Sequence, residues 1–325
     1  MKPTIAYHIS DSAYLAHVMP IIQAFRSDYD HVIVSQLIKT CDLARELLNL
    51  KTFFCPKNEV FWQEMKQRAI RNIIFVHQKV GDTPPDPFFN TFQMFHGVSF
   101  KSKELHNWSP KKWSYVLVQA LHYWDVYPQK FSEHIDRIVK SSFAREVYYD
   151  ETVKASQKKY ILYMPTHRDA GYDGLDNNLE LVCRTIRTKL VVKLHPINLR
   201  NKAFLYKIKH YETKYPHVDF VGEDNYRYFA YHNLFANAEM LISDFSSVVC
   251  EFMLMDRPIV ILRGGNRTKP VKQDWEHLSS NFFFVKHRNL EDAVYRARHE
   301  FKPGSYPQVY FKEPSIFNEI KTRLV

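Results

Sequence analysis

The sequence predicts an α/β protein made of two Rossmann-like domains with parallel sheets facing an interdomain cleft. Three observations predict it. Short apolar runs rich in β-branched residues alternate with stretches of helical periodicity along most of the chain, the pattern of strands joined by crossover helices. One polar stretch, YYDETVKASQKK at 148–159, interrupts the alternation. The length of 325 residues fits about two domains of ordinary size. The first domain is therefore assigned to 1–147, a linker to 148–159 and the second domain to 160–325.

In the first domain, TIAYHIS (4–10) is a strand ending in polar residues, and AHVMPIIQAFRSD (16–28) has helical spacing. HVIVS (31–35) is a β-branched strand, CDLARELLNL (41–50) a helix, and a helical stretch at 58–70 leads into the strand NIIFVHQ (72–78). GDTPPDPFF (81–89) is a loop by its prolines. TFQMF (91–95) and SYVLVQA (114–120) are the next strands, and YPQKFSEHIDRIVKSS predicts a helix over 127–142. In the second domain the strands are YILYMP (160–165), KLVVKLHP (189–196), VDFVG (218–222), MLIS (240–243), PIVIL (258–262) and NFFFV (281–285). Helices are predicted between and after them at 177–187, 202–213, near 226–236, 247–255 and 290–299.

Composition narrows the function classes. Hydrophobic residues make up 45% of the chain, which excludes a disordered or fibrous protein. Lysines and arginines number 45 against 35 acidic residues, a net charge of +10 that favours anionic partners. The basic residues are scattered and no RRM, KH or helix-turn-helix signature occurs, so nucleic acid is not the expected partner. The four cysteines, at 41, 55, 183 and 250, form no C-x-x-C pair and read as buried thiols. The first residues lack the apolar core of a signal peptide, and no apolar run approaches the ~20 residues that span a bilayer. The expectation is a cytoplasmic protein that can rest peripherally on the inner face of the membrane.

Open parallel sheets bind ligands beyond the carboxyl ends of their strands, so the residues just after each strand carry the functional reading. They are His8-Ile9-Ser10-Asp11, His96-Gly97, Thr166-His167-Arg168-Asp169, His195-Pro196, Gly222-Glu223-Asp224 and the turn Asp244 to Ser247. Each has a structural reading too. A histidine beside glycine or proline can be a satisfied core imidazole, and Arg168 can pair with Asp169. Asp-x-Ser-Ser is a good helix N-cap by itself. The same turn would offer backbone N–H groups to a phosphate, although it lacks the glycines of a P-loop or of G-x-G-x-x-G. Joint placement at strand ends of two successive α/β units favours the ligand reading.

Four segments together, FHGVSFK (95–101), YMPTHRD (163–169), KLHP (193–196) and LISDFSSVVCEFMLMDRPIV (241–260), resemble the CDP-glycerol glycerophosphotransferase family of teichoic acid and capsule polymer synthesis. Order and approximate spacing agree over roughly residues 90–262, and the last block is the most specific. There are departures: Val98-Ser99-Phe100-Lys101 follows His-Gly where the family has Thr-Pro-x-Lys, and Ser243 and Phe245 replace its Thr and Tyr.

The resemblance implies a GT-B fold with the donor in the C-terminal half. It implies transfer of glycerol phosphate from CDP-glycerol to a hydroxyl of a lipid-linked or polymeric acceptor, an anionic glycan or phosphopolyol, with release of CMP. His96 and His195 become the functional histidines, with Ser246 and Ser247 on the donor phosphates. Imidazole titrates near neutrality, so His96, on the acceptor side with Gly97 and Lys101, is assigned as general base. His195, Arg168, Ser246 and Ser247 are assigned to the charge that builds on the leaving CMP, with Thr166 beside them. Gly222, Glu223 and Asp244 are the expected nucleotide contacts. No motif requires a cofactor or metal; Mg²⁺ on the diphosphate is compatible with the sequence. A GT-B transferase using CDP-ribitol, another CDP-polyol or a sugar nucleotide is the alternative.

Overall fold

The computed structural model of the chain describes residues 2–76, 87–94, 110–166, 175–199, 201–222, 231–244, 246–262, 281–285 and 289–325. The chain folds into two units, each built on its own parallel sheet. The first unit opens with β1 (Thr4–His8), α1 (Leu15–Phe25), β2 (Asp30–Ser35), α2 (Ile38–Leu48), β3 (Lys51–Phe54), α3 (Asn58–Gln67), β4 (Asn72–Phe75) and β5 (Asn90–Met94). It continues with β6 (Tyr115–Val118), α4 (Leu121–Lys130) and β7 (Ile138–Lys140). The strand order is β3-β2-β1-β4-β5-β6-β7, and every pairing is parallel. A parallel sheet is covered on both faces, so its strands are continuous apolar runs; Ile5, Ala6 and Tyr7 of β1 and Ile73, Ile74 and Phe75 of β4 are fully buried.

Two of these strands depart from the sequence reading. β3, KTFF, is an edge strand with only partial burial and was not predicted. β7 falls inside the stretch predicted as one helix over 127–142. The helix instead ends at Lys130, 3₁₀ turns follow over Ser132–Arg137, and β-branched Ile138 and Val139 then pair with Val116 and Leu117 of β6.

The second unit contains α5 (Glu151–Lys154), β8 (Tyr160–Met164), α6 (Leu175–Thr185), β9 (Leu190–Val192), α7 (Pro196–Leu199), α8 (Lys202–Lys214), β10 (Val218–Phe220), α9 (His232–Asn237), β11 (Ala238–Ser243), α10 (Ser247–Phe252), β12 (Ile259–Ile261), β13 (Phe283–Phe284) and α11 (Leu290–Glu300). Its order is β10-β9-β8-β11-β12-β13, again parallel throughout. Leu179 and Val182 of α6, Ile186 just after it, Phe204 and Ile208 of α8 and Ala293 and Ala297 of α11 pack with Ile161, Val192 and Ile242 of the sheet in one apolar core.

The stretch 148–159, expected as a linker, is an integral part of this unit. Asp150 caps α5 by accepting the Val153 N–H at 2.8 Å. Arg257, almost wholly buried, donates to Lys154 O at 2.6 Å and to Ala238 O at 2.6 Å, with Ala236 O at 2.9 Å. Desolvation holds its pKa below the ordinary arginine value, and the carbonyls at the ends of α5 and α9 offset that cost.

The second domain was also expected to run to residue 325. The chain instead returns to the first unit at 308–325, where α12 (Ile316–Lys321) lies. Tyr310 bridges to Ala120, its ring stacks on Phe143 with centroids 4.2 Å apart, and Asn90 Nδ2 donates to Arg323 O at 2.6 Å. None of the four cysteines forms a disulfide, and all are buried. Among the described residues no helix is long and apolar enough to cross a membrane.

Candidate active site at the carboxyl edge of the second sheet

From β8 the second sheet grows one way through β9 and β10, and from β11 the other way through β12 and β13. The topological switch point, where open α/β sheets leave a crevice for ligands, therefore lies between β8 and β11. The segments leaving these two strands carry Thr166 on one side and Asp244, Ser246 and Ser247 on the other.

Side chains lock this junction. Ser243 Oγ donates to Met164 O at 2.6 Å. Both carboxylate oxygens of Asp244 accept the Thr166 N–H, each at 3.0 Å, and both residues are buried. The sequence reading placed Asp244 among nucleotide contacts; here its carboxylate holds the start of the Pro165-Thr166 loop.

The serine turn resolves in an informative way. Ser246 is the N-cap of α10 by backbone conformation, yet its side chain makes no capping hydrogen bond. The Ser246 N–H donates to Asp244 O at 2.8 Å, and Val249 N–H donates to Ser246 O at 3.1 Å. Ser246 and Ser247 are half-buried. The helix expected over 247–255 is α-helical only through Phe252, with a 3₁₀ turn over Met253–Met255.

Behind the turn, Glu251 of α10 is 1% exposed and is held by two tyrosines. Tyr149 OH donates to Oε1, and Tyr231 OH donates to Oε2 at 2.9 Å. Lys193, also buried, places Nζ 5.3 Å from the centroid of the Tyr231 ring, a cation–π contact. Its N–H donates to Tyr163 O at 3.0 Å, so the ladder continues past β9 toward half-buried His195. Lys193, Tyr149, Tyr231 and Glu251 were missed by the sequence reading. Only Lys193 left a local trace, as a lysine directly after the apolar triplet Leu190–Val192 and two residues before His195.

The structure brings Thr166, Asp244, Ser246 and Ser247 to the switch point, with His195 on the adjoining strand end. Gly222 follows β10, the edge strand, two strands from β8, or about 10 Å at the usual spacing. His96, Gly97, Lys101, Arg168 and Glu223 lie outside the described residues. His8, at a strand end of the first unit, is a core residue, its ring 5.0 Å from Phe61 and 5.2 Å from Phe75. Among the described residues no three His, Cys, Asp or Glu side chains gather into a group that could hold a metal ion.

Solved structures with this architecture define the class. The wall teichoic acid polymerase TagF matches with a TM-score of 0.52 at 16% identity over 79% of this chain and 69% of its own. UDP-GlcNAc 2-epimerase from Methanocaldococcus jannaschii matches with a TM-score of 0.59 at 13% identity over 99% and 98%. MnaA of S. aureus in its UDP co-structure gives 0.57 at 13% identity over 92% and 87%. These likenesses establish a GT-B-type fold of two Rossmann-like units.

The particular lineage comes from sequence. The model of the CDP-glycerol:poly(glycerophosphate) glycerophosphotransferase family matches residues 93–264, more than half of the chain and a span containing every residue assigned a catalytic or binding role above. The chain belongs to that family and is an enzyme of the CDP-glycerol glycerophosphotransferase type. No curated protein matches it in sequence.

Proposed function

We propose that this enzyme transfers glycerol phosphate from CDP-glycerol to a hydroxyl of a lipid-linked or polymeric phosphopolyol acceptor. The acceptor oxygen attacks the β-phosphorus, the bond from that phosphorus to the bridging oxygen breaks, and CMP leaves with the electron pair. The acceptor's proton passes to His96. His195, Arg168, Thr166, Ser246 and Ser247 face the diphosphate and stabilise the charge that develops on it. Gly222 and Glu223 lie toward the nucleoside.

The observation that carries this reading is the Ser246-Ser247 turn at the switch point, braced by Asp244 and with its first hydroxyl not spent on capping α10. Family membership supports CDP-glycerol as the donor, and a TagF variant has been soaked with CDPG. The net charge of +10 suits an anionic acceptor and work at an anionic membrane surface.

The test is CMP release with CDP-glycerol and a short phosphoglycerol primer, run on wild type, His96→Ala and His195→Ala. The wild type turns over, and each variant loses on the order of 10²–10³ in rate while keeping its fold. Full activity in either variant removes that histidine from the mechanism. Preference for CDP-ribitol or a UDP-sugar over CDP-glycerol reassigns the donor.

A further inference from the structure

Next to the switch point the second unit buries two opposite charges with a tyrosine between them. Lys193 is 7% exposed and Glu251 is 1% exposed. The ring of Tyr231 has the Lys193 ammonium 5.3 Å from its centroid, and its hydroxyl donates to Glu251 Oε2 at 2.9 Å. Tyr149 OH donates to the other oxygen of the carboxylate. Leu190, Val192 and Leu194 belong to the apolar core with α6 and α8, so alternation along the strand turns Lys193 to the opposite face of the sheet. There it meets Tyr231, the residue that begins α9.

Such an arrangement is a poor route to stability. Both ions lose their water, and apolar side chains of similar volume often fill such space equally well or better. Its place in the fold supplies a reason for it. Lys193 is anchored to β8 through its N–H, which donates to Tyr163 O at 3.0 Å, and it stands two residues before His195. Glu251 follows Ser247 by four residues within α10, about one helical turn. Lysine, tyrosine and glutamate therefore tie the segment that carries His195 to the helix that begins at the serine turn, in surroundings where water screens little.

We propose that Lys193, Tyr231 and Glu251 are positioning residues for the transfer. Their tie fixes the separation between His195 and the Ser246-Ser247 turn, so that the two meet the diphosphate in a set geometry. The inference rests on the proposed function for the roles of His195 and the serines, and deepens it by naming what holds them in place.

The experiment is steady-state CMP release by the full chain with CDP-glycerol and a soluble phosphoglycerol primer, below the melting transition of every variant. Lys193→Met cuts the tie at one end, and Tyr231→Phe keeps the ring but cuts it at the other. Each lowers kcat by about 10- to 10²-fold and leaves the KM for CDP-glycerol unchanged. The double variant is no slower than the slower single one, because one cut already frees the two sides. Lys193→Arg keeps a cation for the ring and recovers most of the rate. Lys193→Met melts at or above the wild-type temperature, since methionine fills the space without a buried charge.

Full activity in Lys193→Met overturns the inference. So do single losses that multiply in the double variant, and so does a loss confined to KM, which would make Lys193 a donor contact. A fall in kcat that follows a lowered melting transition and disappears on cooling also overturns it. Failure of the proposed function reads differently. Wild type that prefers CDP-ribitol or a UDP-sugar reassigns the donor, and the same variants then decide the inference on that donor. Wild type that releases nucleotide from none of them overturns both.

Discussion

The Asp244 carboxylate accepts the Thr166 N–H with both of its oxygens at 3.0 Å, joining segments 78 residues apart at the ends of β8 and β11. One side chain thereby sets the separation of the two loops that flank the switch point. Asp244→Ala leaves the buried Thr166 N–H without this acceptor and is expected to cost about 1–3 kcal/mol of stability. Displaced loops should also lower the transfer rate on the order of 10²-fold. Asp244→Asn keeps an acceptor oxygen and recovers most of the stability. Urea unfolding and CMP release on the two variants check both expectations.

Glu251 shares its two oxygens between Tyr149 and Tyr231. Either tyrosine replaced by phenylalanine removes a hydrogen bond to a buried carboxylate, a loss of about 1.5–3 kcal/mol. Because both hydroxyls serve one acceptor, the double variant should depart from additivity by at least ~0.5 kcal/mol. A double-mutant cycle in urea reads that coupling; strict additivity would mean the two bonds act independently.

Arg257 belongs to the Asp-Arg-Pro block that carries the family resemblance, yet its guanidinium is spent on main-chain carbonyls at the ends of α5 and α9. Lysine keeps the charge but not the planar fork that reaches both groups. Arg257→Lys is expected to destabilise the second unit by about 3 kcal/mol and to leave the KM for CDP-glycerol unchanged below the melting transition. A raised KM with an unchanged melt would make this arginine a substrate contact.

His31 is buried, its Nδ1 3.0 Å from Tyr7 Oη, and burial holds its pKa below the ordinary histidine value. The folded state therefore favours the neutral ring. The stability this contributes is complete above the unfolded-state pKa of about 6.5 and declines as pH falls through that value toward the lower folded-state one. Unfolding free energy should decrease from pH 7 to pH 5, and His31→Gln should flatten that acid limb.

The central strands were legible because buried parallel strands are continuous apolar runs, and the candidate phosphate turn was legible because Asp244, Ser246 and Ser247 follow such a run directly. What the sequence hid is long-range. Tyr149 meets Glu251 across 102 residues and Lys154 meets Arg257 across 103, so 148–159 read as a polar linker when its tyrosine and carbonyls had partners elsewhere. β3 was missed because a half-exposed edge strand lacks the apolar run that marks its neighbours. β7 was absorbed into a helix because a triplet, Ile138–Lys140, is too short to show a period of its own. Lys193 escaped notice because a lysine near a loop is ordinarily solvated, whereas this one is buried beside the Tyr231 ring.

The return of residues 308–325 to the first sheet bears on how the molecule is born on the ribosome. Asn72 and Asn90, buried at the amino ends of β4 and β5, find carbonyl partners at Val325 and Arg323, which are synthesised 253 and 233 residues later. The residues of the second sheet all emerge before those partners do. The first sheet thus gains these partners only after the second sheet has been translated, and a nascent chain halted after residue 147 would lack the carbonyls that Asn72 and Asn90 hold.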